Sequence, residues 1–127
     1  MYFRGRSASV RPALAALALA LSLGALPAAA TPDARSAKEI DQLLAHVANS
    51  GCTFIREGKE YSGSDARRHL EFKLGFVRSR IDTTEQFITY LASKSSTTGN
   101  PYHIRCNGND TVAQTWLEAQ LKGIRGQ

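Results

Sequence analysis

The sequence predicts an α+β domain: about four helices packed on a small antiparallel sheet of two or three strands, stapled by one disulfide. Two short segments, Cys52-Thr-Phe-Ile-Arg-Glu-Gly-Lys-Glu-Tyr61 and Tyr102-His-Ile-Arg-Cys106, read as strands. Stretches with apolar residues at helical spacing lie before, between and after them. The chain holds two cysteines, Cys52 and Cys106, and one falls in each strand segment.

The first 30 of the 127 residues read as an export signal. Arg4, Arg6 and Arg11 precede an apolar run from Ala13 to Leu26, and Pro27 breaks that run before Ala28-Ala29-Ala30. This pattern places signal-peptidase cleavage after Ala30. The run is about 14 residues, short of the roughly 20 that span a bilayer, and an uncleaved anchor is the rival reading. Cleavage removes three arginines and no acid, so the formal +5 falls to about +2. The basic pI therefore argues for no particular partner, and a periplasmic or secreted location argues against nucleic acid. About 97 residues remain as one domain, small enough for a covalent staple to matter. In an oxidising compartment the two thiols read as a structural disulfide. A reactive thiol is the alternative, but neither cysteine lies in C-x-x-C or at a helix start.

The elements follow in order. Ser36-Ala-Lys-Glu39 has the form of a capping box, and Ile40, Leu43, Leu44, Val47 and Ala48 make the apolar stripe of a first helix. Asn49-Ser50-Gly51 ends it. In the first strand Cys52, Phe54 and Arg56 share a face; Glu57-Gly58 turns the chain and Lys59 to Tyr61 returns antiparallel. A second helix is expected from Asp65 to Arg80, and Thr83-Thr-Glu-Gln86 caps a shorter third. The strand Tyr102 to Cys106 is expected antiparallel to the first, with Cys52 opposite Cys106, Phe54 opposite Ile104 and Arg56 opposite Tyr102. Asn107 to Asp110 turns the chain into a last helix from Thr111, with Trp116 as a core anchor.

The chemistry is sparse. His46, His69 and His103 lack metal-ligand spacing, no glycine-rich phosphate loop or nucleophile elbow occurs, and neither metal nor cofactor is expected. The informative pattern is on the second helix. Ala66, Leu70, Leu74, Val77 and Ile81 form its main apolar face, Phe72 and Phe76 a second strip, and His69, Lys73 and Arg80 fall between them. A cationic stripe flanked by apolar residues suits an acidic partner; the competing account is that Lys73 and Arg80 merely reach past the phenylalanines to water. The candidate surface is His69, Lys73, Phe76 and Arg80, joined by Arg56 and Tyr61 from the hairpin. A non-enzymatic module binding a protein or small acidic ligand is the leading expectation. A hydrolase using His69 as base and a purely structural or assembly role are the alternatives.

Cys52-Thr-Phe-Ile-Arg-x-Gly-Lys-Glu-Tyr61, with His69-Leu70, Lys73, Ile81-x-Thr83-x-Glu85-x-Phe87-Ile88, Ala92-Ser-x-Ser-Ser96, Gly99-x-Pro-Tyr102, Arg105-Cys106 and Trp116-Leu117, resembles the bacterial domain-of-unknown-function family 5329. The likeness runs from about Ile40 to Ile124. It implies an exported single domain with two cysteines, and it brings no activity, ligand or catalytic residue. Glu57 departs from the Asn usual at that turn.

Overall fold

A computed structural model describes residues 32–127 continuously, with eight scattered positions from Gly5 to Gly24. The expected export segment and its cleavage point after Ala30 otherwise lie outside the described residues. Four helices accompany a four-stranded antiparallel sheet. In chain order they are α1 (Ala34–Asn49), β1 (Thr53–Arg56), β2 (Lys59–Tyr61), α2 (Gly63–Val77) with a 3-10 turn over Arg78–Arg80, α3 (Thr84–Gln86) continuing as a π-helix over Phe87–Ala92, β3 (His103–Cys106), β4 (Asn109–Val112) and α4 (Ala113–Ile124).

The sheet runs β2-β1-β3-β4, two hairpins joined through their inner strands. Each hairpin turns on two residues with positive φ, Glu57-Gly58 (49° and 74°) and Asn107-Gly108 (51° and 79°). That backbone matches the right-handed twist of the strands, and glycine takes the second position without a Cβ penalty. Between the hairpins Thr53 pairs with Arg105, Phe54 with Ile104 and Ile55 with His103, the expected register. One step further, Cys52 and Cys106 are bonded, with their Cα atoms 4.6 Å apart. This is the spacing of a directly opposed, non-hydrogen-bonded antiparallel pair.

The sheet has one strand more than expected. Asn109–Val112 pairs with β3 along its length and α4 starts only at Ala113. All four β4 residues are exposed, so this edge strand has no apolar alternation to announce it; main-chain pairing from the Asn107-Gly108 turn makes it. The start of α1 also differs. Asp33 caps it, its carboxylate accepting from the Ser36 amide at 2.7 Å, while Ser36 is buried within the first turn. Glu39 is therefore free of the capping box and points into the protein.

Helix α2 is capped by Ser62, whose hydroxyl accepts from the Asp65 amide, and its regular turns stop at Val77. Its first residue meets the end of α1 so closely that a Cβ on Gly63 would lie 2.4 Å from the Val47 carbonyl oxygen and 2.9 Å from that of Ala48. Backbone cannot give way as a side-chain tip can. Gly63→Ala is expected to lower stability by about 1–3 kcal/mol, the cost of overpacking, and the urea midpoint measures it.

The core gathers Ile40, Leu43 and Val47 of α1, Leu70 and Leu74 of α2, Phe87, Ile88 and Leu91 of the third helix, and Leu117 and Leu121 of α4 against Phe54 and Ile104. Trp116 is half-buried and meets Phe54 edge-to-face at 5.9 Å. Among the described residues no helix is long and apolar enough to cross a membrane.

Candidate functional site: a basic-headed cleft

A cleft of about 430 Å³ opens between the β1–β2 hairpin and α2. Val47, Phe54, Leu70 and Leu117 form an apolar floor, while Arg56, Tyr61 and His69 supply polar groups on its walls. The strand period puts Phe54 and Arg56 on the sheet face that the helices cover, and α2 presents His69 to them. Arg56 donates from Nη2 to the Tyr61 hydroxyl at 3.1 Å. Its Nη1 lies 3.0 and 3.3 Å from the two ring nitrogens of His69.

Tyr102 connects this group to Lys73. Lys73 Nζ donates to the Tyr102 hydroxyl at 3.0 Å, to the Leu91 carbonyl at 2.7 Å and to the Lys94 carbonyl at 2.9 Å. An ammonium has three donors, so this lysine is fully committed. Tyr102 is itself held through its main chain: its amide donates to the Ser93 carbonyl and its carbonyl accepts from the Ala113 amide. In the Nε2–H tautomer His69 donates to the Tyr102 oxygen at 3.3 Å while Nδ1 accepts from Arg56.

Charge is unbalanced here. Arg67, Arg105 and Arg125 are partly buried, and each has a carboxylate within 4 Å: Glu71; Glu60 and Asp110; Glu39 and Glu85. Arg56 is also partly buried, yet among the described residues it has no carboxylate at that distance. Burial, then Arg56, pushes the Lys73 ammonium down to about 8. Burial, then Arg56 and Lys73, lowers His69, which favours a neutral imidazole. Burial raises the Tyr102 phenol against the pull of Arg56, so it stays protonated. Two cations thus face neutral partners, with Asp65 at the rim in reach of Arg68 at 3.4 Å.

Of the expected surface, Arg56, Tyr61, His69 and Lys73 come together. Arg80 and Phe76 do not join them. The helix gives way to the 3-10 turn before Arg80, which is exposed, and Phe76 is 73% exposed and stacks on Phe72 instead. Tyr102, the buried hydroxyl that ties His69 to Lys73, was placed opposite Arg56 by the strand register but not counted in the site. Glu57, at the first hairpin turn, is exposed and accepts from the Thr98 hydroxyl and from Asn100 Nδ2 at 3.1 Å, which fastens the turn to the loop before β3.

The fold and cleft define a class: a disulfide-stapled α+β domain with an apolar pocket headed by a basic cluster. Residues 34–125 match the family of unknown function DUF5329, and the chain belongs to it. It is similar to the uncharacterized protein YfeK of Salmonella typhimurium (strain LT2), 45% identical over 78 residues, which cover 61% of this chain and 65% of that relative. The match thus spans just under two thirds of the relative's length. No solved structure matches.

Proposed function

We propose that this protein is an exported, non-enzymatic binding module of the periplasm that holds a small anion at Arg56. The observation that carries the reading is the partly buried Arg56 in the cleft, with no carboxylate within 4 Å among the described residues. The hydrogen bond from Tyr61 outweighs partial burial and keeps the Arg56 guanidinium firmly charged, and a ligand's negative charge would pair with it. The signal-like N-terminus and the disulfide support export. The hydrolase reading needs a nucleophile or an orienting carboxylate beside His69. Among the described residues the side chains bonded to His69 are those of Arg56 and Tyr102, and both cysteines are tied up in the disulfide. A protein partner is the second reading, favoured by Phe72 and Phe76, which stack at 4.9 Å while 66% and 73% exposed.

Arg56→Gln tests the first reading. Removing the charge relieves its repulsion with Lys73 but loses the hydrogen bond to Tyr61, so stability is expected to change by no more than about 1 kcal/mol. Thermal melts are run on parent and variant with octanoate, phosphate and sulfate. At least one anion is expected to raise the parent's Tm and leave the variant's unmoved. Equal shifts in both proteins, or none in either, would overturn the reading.

A further inference from the structure

Resting on that reading, we infer that the ligand is an amphipathic monocarboxylate, a carboxylate head on an unbranched apolar chain of about ten carbons. Three features of the cleft specify it. First, the donors lie at one end. Arg56 has five N–H groups, and its contacts to His69, Tyr61 and the nearby Tyr102 do not engage them all. The Tyr61 hydroxyl accepts from Arg56 and keeps its own proton for a ligand oxygen. Lys73 offers nothing more, because two main-chain carbonyls and Tyr102 take its three donors. The remaining guanidinium N–H groups plus a hydroxyl suit the two oxygens of a carboxylate; a phosphate dianion calls for more donors and a second free cation.

Second, the space below the head is apolar and larger than any simple anion. Allowing roughly 30 Å³ per group, the share of one water, the 430 Å³ cleft holds about a dozen groups. Above the buried floor of Val47, Phe54, Leu70 and Leu117, Ala66 and the exposed Phe72 give the cleft an apolar wall that a bare phosphate or sulfate would leave wet.

Third, the apolar lining continues outward. Phe72 belongs to the cleft wall and is 66% exposed, and its partner Phe76 extends the same surface along α2. A chain leaving the floor meets these rings on its way to solvent. Arg68, beside them at the rim, is exposed and lies 3.4 Å from Asp65, so water and that carboxylate screen its charge more than that of Arg56.

The test is calorimetric titration of the disulfide-intact protein with hexanoate, octanoate and decanoate below their micelle concentrations, with decanol and inorganic phosphate alongside. Affinity is expected to rise roughly fourfold per methylene, decanol to bind at least tenfold more weakly than decanoate, and phosphate more weakly still. Arg56→Gln is expected to erase the difference between decanoate and decanol. Ala66→Phe, which puts a ring into the cleft from α2, is expected to weaken decanoate more than hexanoate. Affinity that is flat with chain length but still lost in Arg56→Gln would overturn the amphiphile and keep the anion site. Phosphate binding as tightly as decanoate would do the same. Decanol equal to decanoate in the parent would overturn the anion site, and no binding by any probe would sink both.

Discussion

Replacing Cys52 and Cys106 together with serine is expected to lower the unfolding free energy by about 4 kcal/mol, the chain-entropy value for a loop this long. The two residues are 54 apart in sequence and 4.6 Å apart at Cα. Their bond closes the loop containing α2, the third helix and the long polar connection to β3. It also fastens the central strand pair of the sheet, the one pairing that joins the two hairpins. Each hairpin forms locally, whereas the β1–β3 register joins residues some fifty apart and bears most of the closure cost. Chemical denaturation of the serine pair and of the reduced parent should give the same loss. A loss below about 1 kcal/mol would mean that the helical core alone sets the strand register.

Arg125→Met is expected to cost about 3 kcal/mol, the lower end of the range for stripping one partner from a buried ion pair. Glu39 is 5% exposed; it accepts from Thr84 Oγ1 at 3.0 Å and from Arg125 Nε at 2.6 Å and Nη2 at 3.0 Å. Arg125 also reaches Glu85 at 2.5 Å, so one guanidinium ties α1, α3 and the end of α4 together. Methionine keeps much of the apolar stem and leaves the buried carboxylate with only the largely exposed Arg35, 3.9 Å away, as a cation. The pH dependence gives the same mechanism a sign. Arg125, with help from Thr84, holds the Glu39 carboxyl below its ordinary 4.5. The parent's contribution from Glu39 is therefore full above about 4.5 and lost as pH falls through the lowered value. In the variant burial acts without Arg125 and protonation relieves the stranded charge, so the gap between the two proteins should narrow below pH 4.5. Urea melts from pH 3 to 7 measure it. Adding Glu39→Gln to Arg125→Met should recover part of the loss, and a gap constant with pH would refute the buried charge as its cause.

Both networks show where a linear reading stops. Ser36-Ala-Lys-Glu39 has the spacing of a capping box, yet Asp33 takes the cap three residues earlier and Glu39 goes to Arg125, 86 positions away. Nothing local distinguishes a carboxylate that bends back to its own helix from one that turns inward. Strand β4 was missed for another reason: the Asn107-Gly108 turn was visible, but exposed strands carry no hydrophobic alternation. Helical periodicity located α2 and drew His69, Lys73 and Arg80 into one stripe. The change of pitch after Val77 then took Arg80 out of it.

The linear chain by itself determined the α+β class and the Glu57-Gly58 hairpin, which rest on local backbone preference or a period of a few residues, and the cysteine pairing with the register that follows, because the chain holds only two thiols. Only the tertiary structure decided that Arg56 lacks a carboxylate among the described residues, that Lys73 gives two donors to the main chain and one to Tyr102, that Tyr102 bridges two elements, and that Gly63 must stay small. Those are matters of which distant groups meet, and in what desolvated volume. A one-dimensional pattern does not encode such distances until the helices have closed over the sheet.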